Sequence, residues 1–238
     1  MFTRRSFCLA LATSGLLASA ARPARSAGFR IYYPDASFGP PRLLGYVPAP
    51  LDDVAHAVRI LERAPSANPY DTMQWLAELP DKSTDGTPFN ERWNDFANPM
   101  LRKIFADIGY PLSQTAGDCT PWCAATLSWC LQRSKHPIPR DAPSALSFKD
   151  YGKAVSTPSP GDIVVFQNRH SREHGHVTLF VDRLPSDDGR IRCLGANQAN
   201  IAAKTTACGS DYPNNKIDIT TFDVEGPTLK VIAYRSWQ

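Results

Sequence analysis

Apolar residues recur along this chain first at helical spacing and then in alternation. Over Leu51–Arg63, Val54, Ala57, Val58 and Leu61 line one face, and Pro65 follows; this predicts a helix. Tyr70–Leu79 predicts a shorter one, stopped by Pro80. Between Glu91 and Ile108, Trp93, Phe96, Met100, Ile104 and Phe105 keep helical spacing for core packing, but Pro99 must break or restart the helix. A further helix carries Trp122, Leu127 and Leu131 and ends before Pro137.

Beyond Ser156 the period falls to two. Asp162–Phe166, opened by Pro160-Gly161, predicts a short apolar strand. His176–Val181 predicts a second, with Val177, Leu179 and Val181 on one face; Arg190–Gly195 predicts a third and Lys230–Arg235 a fourth. Asp187-Asp188-Gly189 supplies a hairpin turn between the second and third. Helices first and an antiparallel meander after them argue an α+β fold. Residues 28–50, rich in Pro, Gly and Tyr, read as an extended arm, and residues 28–89 as a subdomain or an N-terminal elaboration of a domain spanning 90–238.

The first 27 residues carry a different signal. Arg4-Arg5 precede an apolar run from Phe7 to about Ala21, a pattern that resembles a twin-arginine export signal and is too short to span a bilayer. Ala18-Ser19-Ala20 offers a cleavage site. Four arginines and no acid lie in this segment, so the formal net charge falls from +3 for the whole chain to −1 for residues 28–238. The remainder therefore has no electrostatic case for nucleic acid, and no second apolar run reaches membrane-spanning length. The expectation is a protein exported to the periplasm or beyond, without stable membrane insertion.

In that oxidising setting five cysteines remain: Cys119, Cys123, Cys130, Cys193 and Cys208. An odd count predicts one free thiol and up to two disulfides. A helix over 121–133 would separate Cys119 from Cys130 by about 15 Å, which excludes that pair. With Cys123 free, the pairings left are Cys119–Cys208 with Cys130–Cys193, Cys119–Cys193 with Cys130–Cys208, or a single Cys193–Cys208 bridge.

The chemistry concentrates in Asp118-Cys119-Thr120-Pro121-Trp122-Cys123-Ala124. Thr120 suits a helix N-cap and Pro121 the first helical position, which puts Cys123 in the first turn. The partial positive charge there favours a thiolate, the form a nucleophilic cysteine needs. A base must accompany it, and His176 stands out among five histidines because Gly175 precedes it and an apolar strand begins with it. The third strand runs into Gly195-Ala196-Asn197-Gln198, near the start of the second in a meander. Asn197 is placed to orient the imidazole, with Gln198 as the alternative.

Together, Gly117–Ala125, Pro160–Phe166, Gly175-His176-Val177 and Gly195–Gln198 resemble the CHAP and NlpC-type cysteine peptidases, papain-like cell-wall hydrolases, over roughly residues 90–235. The resemblance implies Cys123 as nucleophile, His176 as general base and Asn197 as orienting residue. It implies a peptidoglycan or peptide substrate, cleaved at an amide bond without a cofactor. Two other readings bear on the same residues. Cys119, Cys123, His174 and His176 could together hold a zinc ion, although their spacings are not those of familiar zinc motifs. A non-catalytic envelope-binding protein could also keep the hydrolase fold. Cys119 is a disulfide partner or a redox switch on Cys123. Asp81–Gly86 resembles the opening of a calcium loop, but Arg92 stands where a bidentate Glu is needed, with Glu91 one residue early, so a turn is expected.

Overall fold

The structure, a computed structural model, describes residues 49–93, 96–110, 118, 120–185, 189–205 and 212–238. The export-signal segment, the arm up to residue 48, Cys119, Cys208 and the hairpin residues Asp187 and Asp188 lie outside the described residues. Among the described residues no helix is long and apolar enough to cross a membrane.

Helix α1 (Leu51–Arg63) carries Asp52 and Asp53 in its first turn and Arg63 in its last, both favourable to its dipole. Helix α2 (Pro69–Ala77) and helix α3 (Pro99–Asp107) share one local logic. Each starts with proline at the first helical position, behind an asparagine cap: Asn68 accepts from the Asp71 amide, and Asn98 from those of Met100 and Leu101. Pro99 thus starts a helix, and the apolar residues before it belong to an irregular segment. That segment bonds along the sheet edge, Arg92 N–H to Asn215 O and Ile217 N–H to Asn90 O, each at 2.9 Å. Helix α4 spans Cys123–Arg133, and a 3₁₀ turn at Ala145–Asp150 precedes the sheet.

The expected α+β architecture is present. Six antiparallel strands follow the helices: β1 (Lys153–Ala154), β2 (Ile163–Asn168), β3 (Gly175–Arg183), β4 (Arg190–Thr205), β5 (Tyr212–Asp223) and β6 (Leu229–Ser236). Their spatial order is β1-β6-β2-β3-β4-β5. Gly161, with φ +94°, makes the left-handed turn that launches β2, a conformation costly for residues with a side chain.

Strand alternation divides the apolar residues between the two faces of the sheet. Ile163, Val165, Val177, Leu179, Leu194 and Ala196 face the helices and join one core with Ile60, Met73, Leu101, Leu127 and Trp122. Trp122 is thus core packing. Val164, Phe166, Phe180, Ile191 and Cys193 form a second cluster on the opposite face, with Phe222, Val231 and Tyr234 against it.

This division corrects the disulfide expectation. Cys130 and Cys193 are both buried free thiols, and each expected pairing needed at least one of them in a bridge. Cys130 lies in the helical core and Cys193 in the cluster on the other side, so the sheet stands between them. The Asp81–Gly86 stretch is a turn closed by Gly86 N–H to Ser83 O. Its carboxylates are occupied by protein donors: Asp81 by His56 at 2.7 Å and Arg63 at 2.5 Å, Asp85 by Ser83 and the Thr87 amide.

Candidate active site

Helix α4 begins at Cys123 itself, with Trp122 at the cap position and no side chain capping the end. The expectation that Thr120 caps the helix is corrected. Tertiary bonds hold the lead-in out of helical geometry: Asp118 O accepts from Arg92 Nε at 2.8 Å, and the Asp118 carboxylate accepts the Trp93 amide at 2.8 Å and the Asn98 amide at 3.3 Å. The consequence is useful chemically. Cys123 sits at the very mouth of the helix, where backbone N–H groups lack intrahelical acceptors.

The backbone amides of Val177, Ala124 and Cys123 itself lie near the Cys123 sulfur and favour its thiolate. The start of β3 thus approaches the nucleophile candidate through its backbone. Cys123 is only 4% exposed, and burial outweighs these donors, pushing the thiol pKa up. The helix field alone predicts a thiolate; desolvation reverses that and leaves a protonated thiol at rest.

His176 is 8% exposed, and burial drives its pKa down to about 4, partly offset by the Gln198 side chain. Its ring lies against Phe222 at 5.5 Å and Phe166 at 6.2 Å between centroids. The imidazole is thus neutral at pH 7, as a general base must be. Two aromatic rings of the second cluster flank the imidazole, so it lies on the sheet face opposite the helical core that contains Cys123.

The polar residue beside that ring is Gln198. Asn197 is directed elsewhere, which corrects the sequence reading of the third position. The Asn197 Oδ1 accepts from Asn215 Nδ2 at 2.6 Å and from Arg92 Nη2 at 3.3 Å. The reason is a bulge: pairing between β4 and β5 shifts register between Gly195 and Gln198, and Asn197 takes a left-handed φ of +57°. The extra residue carries Gln198 onto the face occupied by Thr178 and His176. A Cβ on Gly195 would meet Thr178 Cγ2 at 2.8 Å and Gln198 Oε1 at 3.2 Å, so glycine there leaves room for this fold-back.

Gln198 Nε2 donates to the carbonyls of Asp218 and Cys193, the latter at 3.4 Å. That fixes the amide orientation, since only its oxygen is left for the ring. Among the described residues, His176 Nε2 and Gln198 Oε1 are both buried and neither has a hydrogen-bond partner. The carboxamide is near enough to favour the protonated ring but sits outside ideal hydrogen-bond geometry, as is common in unliganded sites.

The sequence reading assigned no role in the site to Arg92, Asp118 or Asn215. Arg92 lies between apolar Phe89 and Trp93 with no periodic or motif signal, and only the tertiary fold brings it to Asn197. No cluster of three or more potential metal ligands occurs among the described residues. Residues 109–197 match the CHAP domain family. No curated protein matches the chain.

Proposed function

Because residues 109–197 belong to the CHAP domain, a papain-like cysteine peptidase and amidase family, we propose that this protein is an exported cysteine hydrolase of peptidoglycan stem-peptide or amide bonds. The observation that carries the reading is the family match together with Cys123 at the first position of α4, its sulfur beside the amide of Val177, the residue that follows a neutral His176. Export rests on the paired arginines and apolar run of residues 4–21.

The chemistry follows from the resting protonation states. In this reading the neutral His176 ring turns from the Phe166–Phe222 side of the sheet toward the sulfur and takes the Cys123 thiol proton as sulfur attacks the amide carbonyl. The proton moves during attack, since burial disfavours a standing thiolate. The Cys123 backbone N–H, at the helix mouth, stabilises the developing oxyanion. The imidazolium, held by Gln198 Oε1, then protonates the leaving amine, and water drawn through the same base cleaves the thioester.

The test is digestion of purified peptidoglycan by wild type, Cys123→Ser and His176→Ala, with mass identification of the released fragments. Wild type should release fragments bearing a new amine and carboxylate, and both variants should release none above background. Equal release from all three would discard the hydrolase reading. Sedimentation with peptidoglycan but no release by wild type would point to a binding protein.

A further inference from the structure

Arg92 is 2% exposed, an unusual burial for a guanidinium, and its hydrogen bonds reach two chain segments that otherwise approach the site separately. Nε donates to Asp118 O, five residues before Cys123 in the lead-in to α4. Nη2 donates to Asn197 Oδ1, the residue before Gln198 on the β4 bulge. Its own backbone N–H is bonded to Asn215 O on β5, and the Asn215 side chain donates to the same Asn197 oxygen. The Arg92 charge also opposes the upward push that burial exerts on the Asp118 carboxyl.

We propose that Arg92 is a positioning residue that sets the distance between the Cys123 helix mouth and the Gln198–His176 pair. This rests on the cysteine-hydrolase reading of the site. A planar guanidinium suits the task because its donors leave in fixed, divergent directions, so two acceptors are held at one separation. Lysine offers a mobile point charge and holds neither angle. The substrate is not the partner of Arg92, because the side chain is enclosed and its donors face protein acceptors. The consequence is that the segment around residue 92 is part of the catalytic unit although it precedes the matched residues 109–197.

The separation matters because misplacing reacting groups by about 1 Å costs on the order of 10²-fold in rate. The experiment compares full-length wild type, Arg92→Lys and Asn197→Ala on three measurements. These are peptidoglycan hydrolysis resolved into kcat and KM, the pH profile of Cys123 alkylation by iodoacetamide read by peptide mass spectrometry, and the thermal midpoint. Arg92→Lys keeps the charge beside Asp118, and Asn197→Ala removes the β4 acceptor that Arg92 and Asn215 share, so a folding failure of one leaves the other informative.

The expected result is a kcat lower by roughly 10²-fold in Arg92→Lys, consistent with sub-ångström to ångström misplacement. KM should be unchanged and the alkylation profile displaced along the pH axis. Asn197→Ala should show the same pattern at smaller size. Wild-type kcat and wild-type alkylation profiles in both variants would overturn the proposal, as would a rate loss that only follows the thermal midpoint. Alkylation needs no substrate, so a displaced profile in a protein that hydrolyses no peptidoglycan would retire the hydrolase reading and keep the positioning role.

Discussion

The backbone amide of Val177 lies beside the sulfur of Cys123 and favours its thiolate, so the first residue of helix α4 meets strand β3 one position beyond His176. A backbone N–H cannot be removed by mutation, so this neighbour of the sulfur stays whatever replaces the imidazole. Cys123→Ser keeps a smaller acceptor in the same place. Hydrolysis should fall by at least about 10³-fold, because an alcohol beside the same base is far less readily ionised than a thiol. The thermal midpoint should move by only a few degrees. Steady-state rates and a melting curve check both statements.

Burial of neutral His176 makes stability depend on acidity. Its folded pKa, about 4, lies below the ordinary value of 6.5, so the unfolded chain binds the proton more readily. Stability attributable to this residue is complete above about pH 6.5 and declines as pH falls toward 4. It levels off below that, for a total of about 3 kcal/mol. Urea unfolding at pH 7 and pH 4.5 should show wild type losing more stability than His176→Gln. Equal losses would remove His176 as the cause.

Gln198 and Asn197 are separated by their partners, and mutation should separate them by effect. Gln198→Ala removes the acceptor beside Nε2 and leaves two buried carbonyls, of Cys193 and Asp218, without their donor. We expect kcat to fall on the order of 10²-fold and stability to fall by about 1–3 kcal/mol. Gln198→Glu keeps the acceptor but faces those carbonyls with oxygen. Its stability should therefore fall while His176 titrates at higher pH, which NMR of the imidazole protons reports.

Gly175 admits no side chain. A Cβ there would lie 2.3 Å from Phe166 O and 2.7 Å from Leu146 Cδ2, and the first of these is backbone that cannot swing aside. Gly175→Ala must push β3 away from β2 beside His176. The cost should be about 1–3 kcal/mol, as for other overpacked sites, with a lowered thermal midpoint and reduced hydrolysis. An unchanged melting curve would mean that β3 shifts without strain.

The thiols offer a direct chemical check. Alkylation of unfolded protein without reductant should modify Cys123, Cys130 and Cys193 fully, since all three are free. Protection of Cys130 or Cys193 until reductant is added would contradict their packing on opposite sides of the sheet.

Periodicity located α1 over its whole length and placed β2, β3 and β6 within a residue or two, because α1 has one regular apolar face and the strands are short apolar runs set off by turn residues. It missed β5, whose Pro213-Asn214-Asn215 stretch carries no strand signal in the sequence, and the two-residue β1, whose side chains are exposed. Cys123 and His176 stood out as candidates because each sits at an element start that local signals mark. Asn197 in place of Gln198 was the natural reading of a strand that continues without interruption. A single left-handed residue shifts the alternation, and nothing in Gly-Ala-Asn-Gln announces where that residue falls. The disulfides were misjudged for a related reason. Cysteine counting treats the chain as a string, whereas the sheet partitions its thiols.

Strand β6 is bonded between β1 and β2, although it is the last strand in the chain. As the polypeptide grows, everything from α1 to β5 is made before the strand that fills this gap. Until residues 229–236 emerge, β2 offers an open edge, and the cluster of Val164 and Phe166 lacks Val231 and Tyr234 to cover it. Such an edge invites pairing with other chains. Shortening the chain by its last ten residues would therefore open the middle of the sheet, two strands from the one that carries His176.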